Sequence, residues 1–358
     1  MKVFVLTDSP SPYQVEFFNE IESRGVYELQ VGYLRQRDPG RKWEPASIRH
    51  ESIVFDGSAG ALPRAQDAVR RANLVVFNYY RHTHAEKLIE QRARQGAPWC
   101  FWGERPGFRQ PVWAGRLLRK WKLSQLHASL VPIWGIGEFA IDGYRKEFGE
   151  ARPYFNLPYF SDLNRFRVQP RGTRIKRTER VFLFSGSLIE RKGVDLLARA
   201  FVRLARELPN VRLKIVGEGK LRSEITETLR TVRDCVEFLG FKDWSELPEL
   251  YATADVLCVP SRYDGWGLVV PEGLAAGLPV IATDRMGAAL EFLRTGLNGW
   301  LIPAANEDAV LGALREAALL SDSELDQLGR QARDSVSEHT LVHGAQRFVR
   351  YAQEAVNV

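Results

Sequence analysis

The sequence predicts an α/β protein built from two Rossmann-like domains, and three observations carry that expectation. Short apolar runs alternate with longer amphipathic stretches along the chain, the pattern of parallel α/β layers. The alternation is interrupted around residues 153–180 and then restarts. The length of 358 residues is also about twice that of a usual single domain.

In chain order, Lys2–Leu6 reads as a first buried strand, too short in its apolar run for a signal peptide. Further strands are expected at Glu28–Tyr33, Leu74–Phe77, Trp99–Trp102 and Leu130–Trp134. Helices are expected at Gln14–Arg24, Ala65–Arg71, His84–Arg94 and Ile136–Phe148. Pro153–Pro158 and the polar, basic stretch from Gln169 to Arg180 read as linker and loop, which sets domains at 1–160 and 161–340. The second half offers strands at Val181–Ser185, Val211–Val216, Val236–Leu239 and Val256–Val259. Its helices are Gly193–Glu207, Lys220–Thr231, Leu247–Ala252, one containing Glu272, and a last one over 341–358. Two such units facing across a cleft would put a ligand at the carboxyl ends of their strands.

Hydrophobic and charged fractions of 45% and 26% exclude a disordered chain. No apolar stretch reaches the roughly 20 residues that span a bilayer. The longest, Gly267–Ala282, is broken by Pro271, Glu272 and Pro279. A cytoplasmic protein is therefore expected. Cys100, Cys235 and Cys258 have no metal-ligand spacing and read as buried thiols in a reducing compartment. The net charge of +6 is unevenly spread: Arg105 to Gly137 holds Arg105, Arg109, Arg116, Arg119, Lys120 and Lys122, and no acidic residue.

Two segments of the second half carry chemistry. In Cys258–Ala282 a strand ends in a turn with Gly265 and Gly267, and a helix follows with Glu272 near its start. Glycines let the backbone approach a ligand, and N–H groups at a helix start attract phosphate. Asp264 and Glu272, with seven residues between them across that turn, can accept from the hydroxyls of a ribose and a hexose. The alternative is that Glu272 merely favours the positive end of the helix dipole; the surrounding glycines and the strand-turn-helix context weigh toward a site. In Phe184–Leu197 a strand gives way to Gly186, then adjacent Arg191 and Lys192, then a helix. An Arg–Lys pair suits a diphosphate. Cations at a helix start oppose its dipole, and an anion would relieve the conflict.

The order Gly186-x-Leu-x-x-Arg-Lys-Gly193, Lys214-Ile-Val-Gly-Glu-Gly219, Phe238-Leu-Gly-Phe241, Ala254-Asp-Val and the carboxylate pair resembles the family-4 retaining glycosyltransferases of the GT-B fold, over roughly Val181 to Pro303. The resemblance implies that Arg191 and Lys192 bind the donor diphosphate and stabilise the leaving nucleotide. Glu272 matches the second glutamate of a Glu-x7-Glu motif and would hold the donor ribose. Asp264 stands where the first glutamate belongs and would contact the transferred sugar, a departure that bears on which sugar is used. Gly265, Trp266, Gly267 and Leu268 match a loop whose backbone amides meet sugar and phosphate, Phe241 the position that meets the base, and Gly186 and Gly217 the pocket lining. It further implies a UDP- or GDP-sugar donor, transfer to a glycan or lipid-linked acceptor as in bacterial surface polysaccharide synthesis, and a terminal helix that returns to the first domain. No Asp-x-Asp motif appears and the Arg–Lys pair can take a metal's electrostatic role, so no obligatory cofactor or metal is expected. The rivals are a nucleotide-sugar epimerase or hydrolase of the same fold, and a non-catalytic nucleotide-sugar-binding assembly protein.

The first half resembles the family less. Thr7-Asp-Ser-Pro-Ser-Pro-Tyr13 stands where relatives carry a glycine-rich loop. At a middle strand end, where relatives often place a histidine, the chain reads Phe101-Trp-Gly-Glu-Arg-Pro-Gly107. Glu104, with Arg105, is the candidate there to orient the acceptor or accept its proton, against the alternative of a structural turn. His82 and His84 are rival candidates. In the basic block, Phe108, Val112, Trp113, Leu117, Leu118 and Trp121 interleave with the cations. An amphipathic helix of this kind suits an anionic membrane, with Arg109, Trp113, Arg116, Arg119, Lys120, Trp121 and Lys122 on the membrane or acceptor face. The competing reading packs it on the core. Nucleic acid is not expected, since no recognised motif accompanies the charge.

Overall fold

The apolar runs become two parallel sheets. The computed structural model describes residues 1–37, 46–57, 60–107, 112–167 and 179–357, so Phe108, Arg109 and most of the stretch from Gln169 to Arg180 lie outside the described residues. The chain divides into two units, Met1–Asp162 with Thr340–Val358, and Leu163–His339.

Unit 1 runs β1 (Lys2–Thr7), α1 (Pro12–Ser23), β2 (Glu28–Tyr33), β3 (Glu51–Val54), α2 (Ala61–Arg71), β4 (Leu74–Phe77), α3 (Thr83–Arg94) and β5 (Trp99–Gly103). It continues through α4 (Val112–Lys122), α5 (Ser124–His127), β6 (Ile133–Gly135), α6 (Glu138–Phe148) and β7 (Tyr154–Asn156). Its sheet has the order β3-β2-β1-β4-β5-β6-β7 with every neighbour parallel. All residues of β4 and β5 are buried, as strands covered by helices on both faces require.

Three sequence expectations change here. Pro153–Pro158 is not linker: it carries β7, whose Phe155 pairs with Trp134 of β6, because three residues are too few to display a period. β6 starts at Ile133 and not at Leu130, since Pro132 has no N–H to give the ladder. β3, with its polar start, was not anticipated; it is an edge strand on β2.

Unit 2 runs β8 (Arg180–Ser185), α7 (Val194–Glu207), β9 (Val211–Val216), α8 (Arg222–Thr228), β10 (Val236–Gly240), α9 (Leu247–Ala252), β11 (Val256–Val259) and α10 (Val269–Ala275). Then come β12 (Val280–Thr283), α11 (Gly287–Phe292), β13 (Gly299–Ile302), α12 (Glu307–Leu319) and α13 (Asp322–Ser335). The sheet order is β10-β9-β8-β11-β12-β13, again all parallel. The helix expected over Lys220–Thr231 is shorter. Thr226 and Thr228 turn their hydroxyls back onto the carbonyls of Arg222 and Glu224, and a 3-10 turn over Arg230–Cys235 follows.

The last helix, α14 (Leu341–Val356), belongs to unit 1. Phe348 meets Phe17 and Trp134 at 6.1 and 5.4 Å between ring centres, and the Tyr27 hydroxyl donates to Val349 O at 2.8 Å. Each strand order reverses once, between β1 and β4 and between β8 and β11. At such switch points the loops diverge and leave room for a ligand. Among the described residues no helix is long and apolar enough to cross a membrane, and no cluster of three or more His, Cys, Asp or Glu could hold a metal.

Candidate active site

In unit 2 the β8 and β11 loops are locked together by one glycine. Gly193, in the left-handed region at φ +68°, ends a 3-10 turn over Glu190–Lys192 and begins α7. A Cβ on it would sit 1.9 Å from the Pro260 carbonyl oxygen, so only glycine allows the approach. Arg262 N donates to Arg191 O at 2.8 Å, and the Arg262 guanidinium forks onto Asp195 of α7 at 2.7 and 2.7 Å. Burial alone would raise the Asp195 pKa, but the Arg262 guanidinium holds the carboxyl below its usual range. Arg262 was not singled out in the sequence; its charge two residues before Asp264 was the available signal.

This clamp brings the expected pair together. Lys192 Nζ pairs with Asp264 Oδ2, and Arg191 Nη1 lies 3.5 Å from the same oxygen and 3.3 Å from Tyr263 O. The cations at the start of α7 thus have an anion in the chain itself. Asp264 is in turn hooked by its N–H to Arg285 O at 2.9 Å. Gly217, at φ +128°, stacks on Gly186 so closely that a Cβ would lie 1.9 Å from Gly186 O, and its N–H donates to Gly240 O at 2.7 Å. The ends of β8, β9 and β10 therefore meet through bare backbone. Phe241, the next residue after Gly240, is 41% exposed.

Glu272 lies in the first turn of α10, its N–H bonded to Leu268 O at 3.1 Å. In the Gly265–Leu268 loop, whose expected role falls to backbone amides, the Trp266 ring is 1% exposed and packs on Phe292 and His339, each at 5.8 Å. An indole gains more from burial than from a sugar edge, so only the backbone of Trp266 faces the loop. Cys100 and Cys258 are buried free thiols whose pKa burial pushes up, and Cys235 is half-buried.

In unit 1 the switch point between β1 and β4 holds a polar hub that the sequence did not disclose. Asn78 Oδ1 accepts from Thr7 Oγ1 at 2.9 Å and Gln14 Nε2 at 3.0 Å, while its Nδ2 donates to Trp102 O at 2.9 Å. Tyr159 faces this hub and stacks obliquely on Tyr13, with ring centres 5.0 Å apart. Glu104 is exposed at the end of β5, and its carbonyl accepts from the Tyr144 hydroxyl at 2.8 Å. Arg105 is turned away, donating to Phe139 O at 2.6 Å and covering the Phe139 ring at 4.0 Å. His82 caps α3 through its Nδ1, which accepts from His84 N at 3.2 Å, and His84 stacks on Phe55 at 5.2 Å.

Residues 166–335 match the family described as Glycosyl transferases group 1. They form a group 1 glycosyltransferase domain. An uncharacterised glycosyltransferase of Methanocaldococcus jannaschii is 30% identical over 52% of this chain and 49% of its own length. A GDP-mannose-dependent alpha-(1-6)-phosphatidylinositol monomannoside mannosyltransferase of Mycolicibacterium smegmatis is 30% identical over 52% of each. The chain spans about half the length of the curated relatives it matches. Anabaena HepE in complex with UDP superposes with a TM-score of 0.77 over 99% of this chain and 100% of that one, at 16% identity. That likeness gives the fold, which is GT-B. The Arg191, Lys192, Asp264 and Glu272 loops all lie inside the glycosyltransferase domain.

Outside that domain, α4 separates the basic block into two faces. Trp113 and Trp121 are 67% and 69% exposed, with Leu117 and Leu118 also exposed beside the solvent-facing Arg116 and Lys120. Arg119, expected on the membrane-facing side, is 9% exposed and forks onto Glu147 of α6, with contacts of 2.6 to 2.9 Å. Lys122 is likewise held, by Glu86 of α3 at 2.5 Å. Arg119 is buried and Lys122 half-buried because carboxylates on the neighbouring helices neutralise them there.

Proposed function

We propose that this chain transfers a sugar, with retention at the anomeric carbon, from a UDP- or GDP-sugar to a hydroxyl of a lipid-linked glycan, as in the assembly of cell-surface polysaccharide. The observation that carries the reading is the clamp that seats Arg191 and Lys192 beside Asp264 at the β8/β11 switch point. In this reading Arg191 and Lys192 hold the diphosphate and take up the charge that develops as the C1–O bond to phosphate breaks. The acceptor oxygen bonds C1 on the face the phosphate leaves, and its proton passes to the departing phosphate. Asp264 holds hydroxyls of the transferred sugar, Glu272 the ribose, and Phe241 the base. Asp264 is one methylene shorter than glutamate, which changes its reach into the sugar subsite.

Unit 1 is assigned the acceptor, with Glu104 and the Asn78 hub as the groups that meet its hydroxyls. Two exposed tryptophans and two exposed leucines on one helix, flanked by Arg116 and Lys120, have the chemistry of an anionic membrane surface. The likeness to a phosphatidylinositol mannoside mannosyltransferase supports a lipid-borne acceptor. A panel of nucleotide sugars, screened for thermal stabilisation, identifies the donor, since a ligand that binds only the folded state raises Tm. NMR of the product then reads its anomeric configuration. Lys192→Ala is expected to lower turnover at least about 100-fold; undiminished turnover would remove the assignment. On anionic liposomes, Trp113→Ser with Trp121→Ser should abolish co-flotation, and equal flotation of the variant would refute the membrane face.

A further inference from the structure

We infer that Tyr251 is a positioning residue of the donor site, holding the Glu272 carboxylate in the orientation that the nucleotide ribose needs. The inference rests on the donor reading above.

Tyr251 lies on α9 and is 0% exposed, its ring packed against Phe166 at 5.2 Å. The helix is fixed to the sheet through Lys214 of β9, whose Nζ donates to Thr253 Oγ1 at 3.0 Å. Buried phenols nearly always find a hydrogen-bond partner, because leaving the hydroxyl unpaired forfeits its hydration without return. The Tyr251 hydroxyl closes no hydrogen bond of regular geometry, yet two polar groups stand within its reach. Its polar neighbours are the Glu272 carboxylate on α10 and the Ser185 hydroxyl at the end of β8. Phenylalanine would fill the same space without that cost. A buried phenol kept here, beside a carboxylate assigned to a ligand, is the mark of a contact that orients that carboxylate.

The chemistry fits. A carboxylate has about four acceptor positions on two oxygens, so Glu272 can take the phenol on one side and ribose hydroxyls on the other. Burial first, and the Glu272 charge second, hold the Tyr251 pKa well above its usual value, so the phenol stays a donor at working pH. A donor at its back limits the ways Glu272 can turn, and hydroxyls that arrive meet an acceptor already aimed.

The test compares Tyr251→Phe with the unaltered full chain by calorimetric titration of UDP and GDP, and of the 2′-deoxy and 3′-deoxy forms of whichever binds. The unaltered chain should prefer the ribonucleotide about tenfold or more. Tyr251→Phe should weaken the ribonucleotide about tenfold and leave the deoxynucleotides within about twofold, erasing the preference. In a Glu272→Gln background the same substitution should change nothing further, since Tyr251 acts through that carboxylate. Equal weakening of ribo- and deoxynucleotide by Tyr251→Phe would mean a packing role alone and overturn the inference, as would an unchanged preference. Failure of the unaltered chain to bind either nucleoside diphosphate would overturn the donor reading along with it.

Discussion

Replacing Gly193 with alanine probes the clamp directly. A non-glycine residue at φ +68° costs about 1–2 kcal/mol in the left-handed region. The added Cβ would stand 1.9 Å from Pro260 O, so the β8 and β11 loops must part by roughly 1 Å before any tolerated contact is reached. Overpacking of that kind costs about 1–3 kcal/mol more, for a total of about 2–5 kcal/mol. Gly25→Ala is the control, because Gly25 has nearly the same φ, +61°, and nothing within 4 Å of its Cβ. It should lose only the conformational part, about 1–2 kcal/mol. Urea unfolding, with the slope checked for constancy, measures both variants. Movement of Lys192 relative to Asp264 by about 1 Å should also cut transfer about 100-fold in Gly193→Ala and leave Gly25→Ala unaffected. Equal stability losses in the two variants, with transfer retained, would refute the argument that backbone contact at Pro260 sets the site.

Three further predictions follow from named contacts. Asp264→Asn removes the anion that Arg191 and Lys192 share, so UDP should bind about fivefold more tightly (roughly 1 kcal/mol) while sugar transfer falls at least tenfold; weaker UDP binding in a titration would contradict the placement. Arg119→Ala leaves Glu147 buried and should cost about 3–5 kcal/mol, whereas Arg116→Ala should stay within about 0.5 kcal/mol; urea midpoints decide, and equal values would mean that Arg119 faces solvent after all. His50 is bonded to Asn19 Oδ1 and the Tyr33 hydroxyl at 2.8 Å each, and burial pushes its pKa down to about 4 from 6.5. As pH falls the unfolded chain takes the proton first, so this contribution is complete above pH 6.5 and is lost toward pH 4. At pH 5 the loss is about 2 kcal/mol, which His50→Gln should abolish in a comparison of unfolding at pH 7 and pH 5.

The α/β alternation and the kinship of the second half are legible in the order of residues alone. Those features are local: a strand end, two glycines, an Arg–Lys pair and two carboxylates with seven residues between them are all spelled out within short spans of chain. Which way a side chain faces was decided only in the fold. Arg119 and Lys120 are neighbours in a basic run, yet one is buried on Glu147, 28 residues away, and the other is exposed to water. Trp266 sits between two glycines of the loop after β11 and turns its ring into the core. Lys192 meets Asp264 across 72 residues because Gly193 lets two loops touch. Asn78 becomes a hub, and Pro153–Pro158 a strand, through partners from other elements. A pattern along the chain records what each residue can do. Burial and charge pairing between distant segments decide which of those capacities the tertiary structure uses.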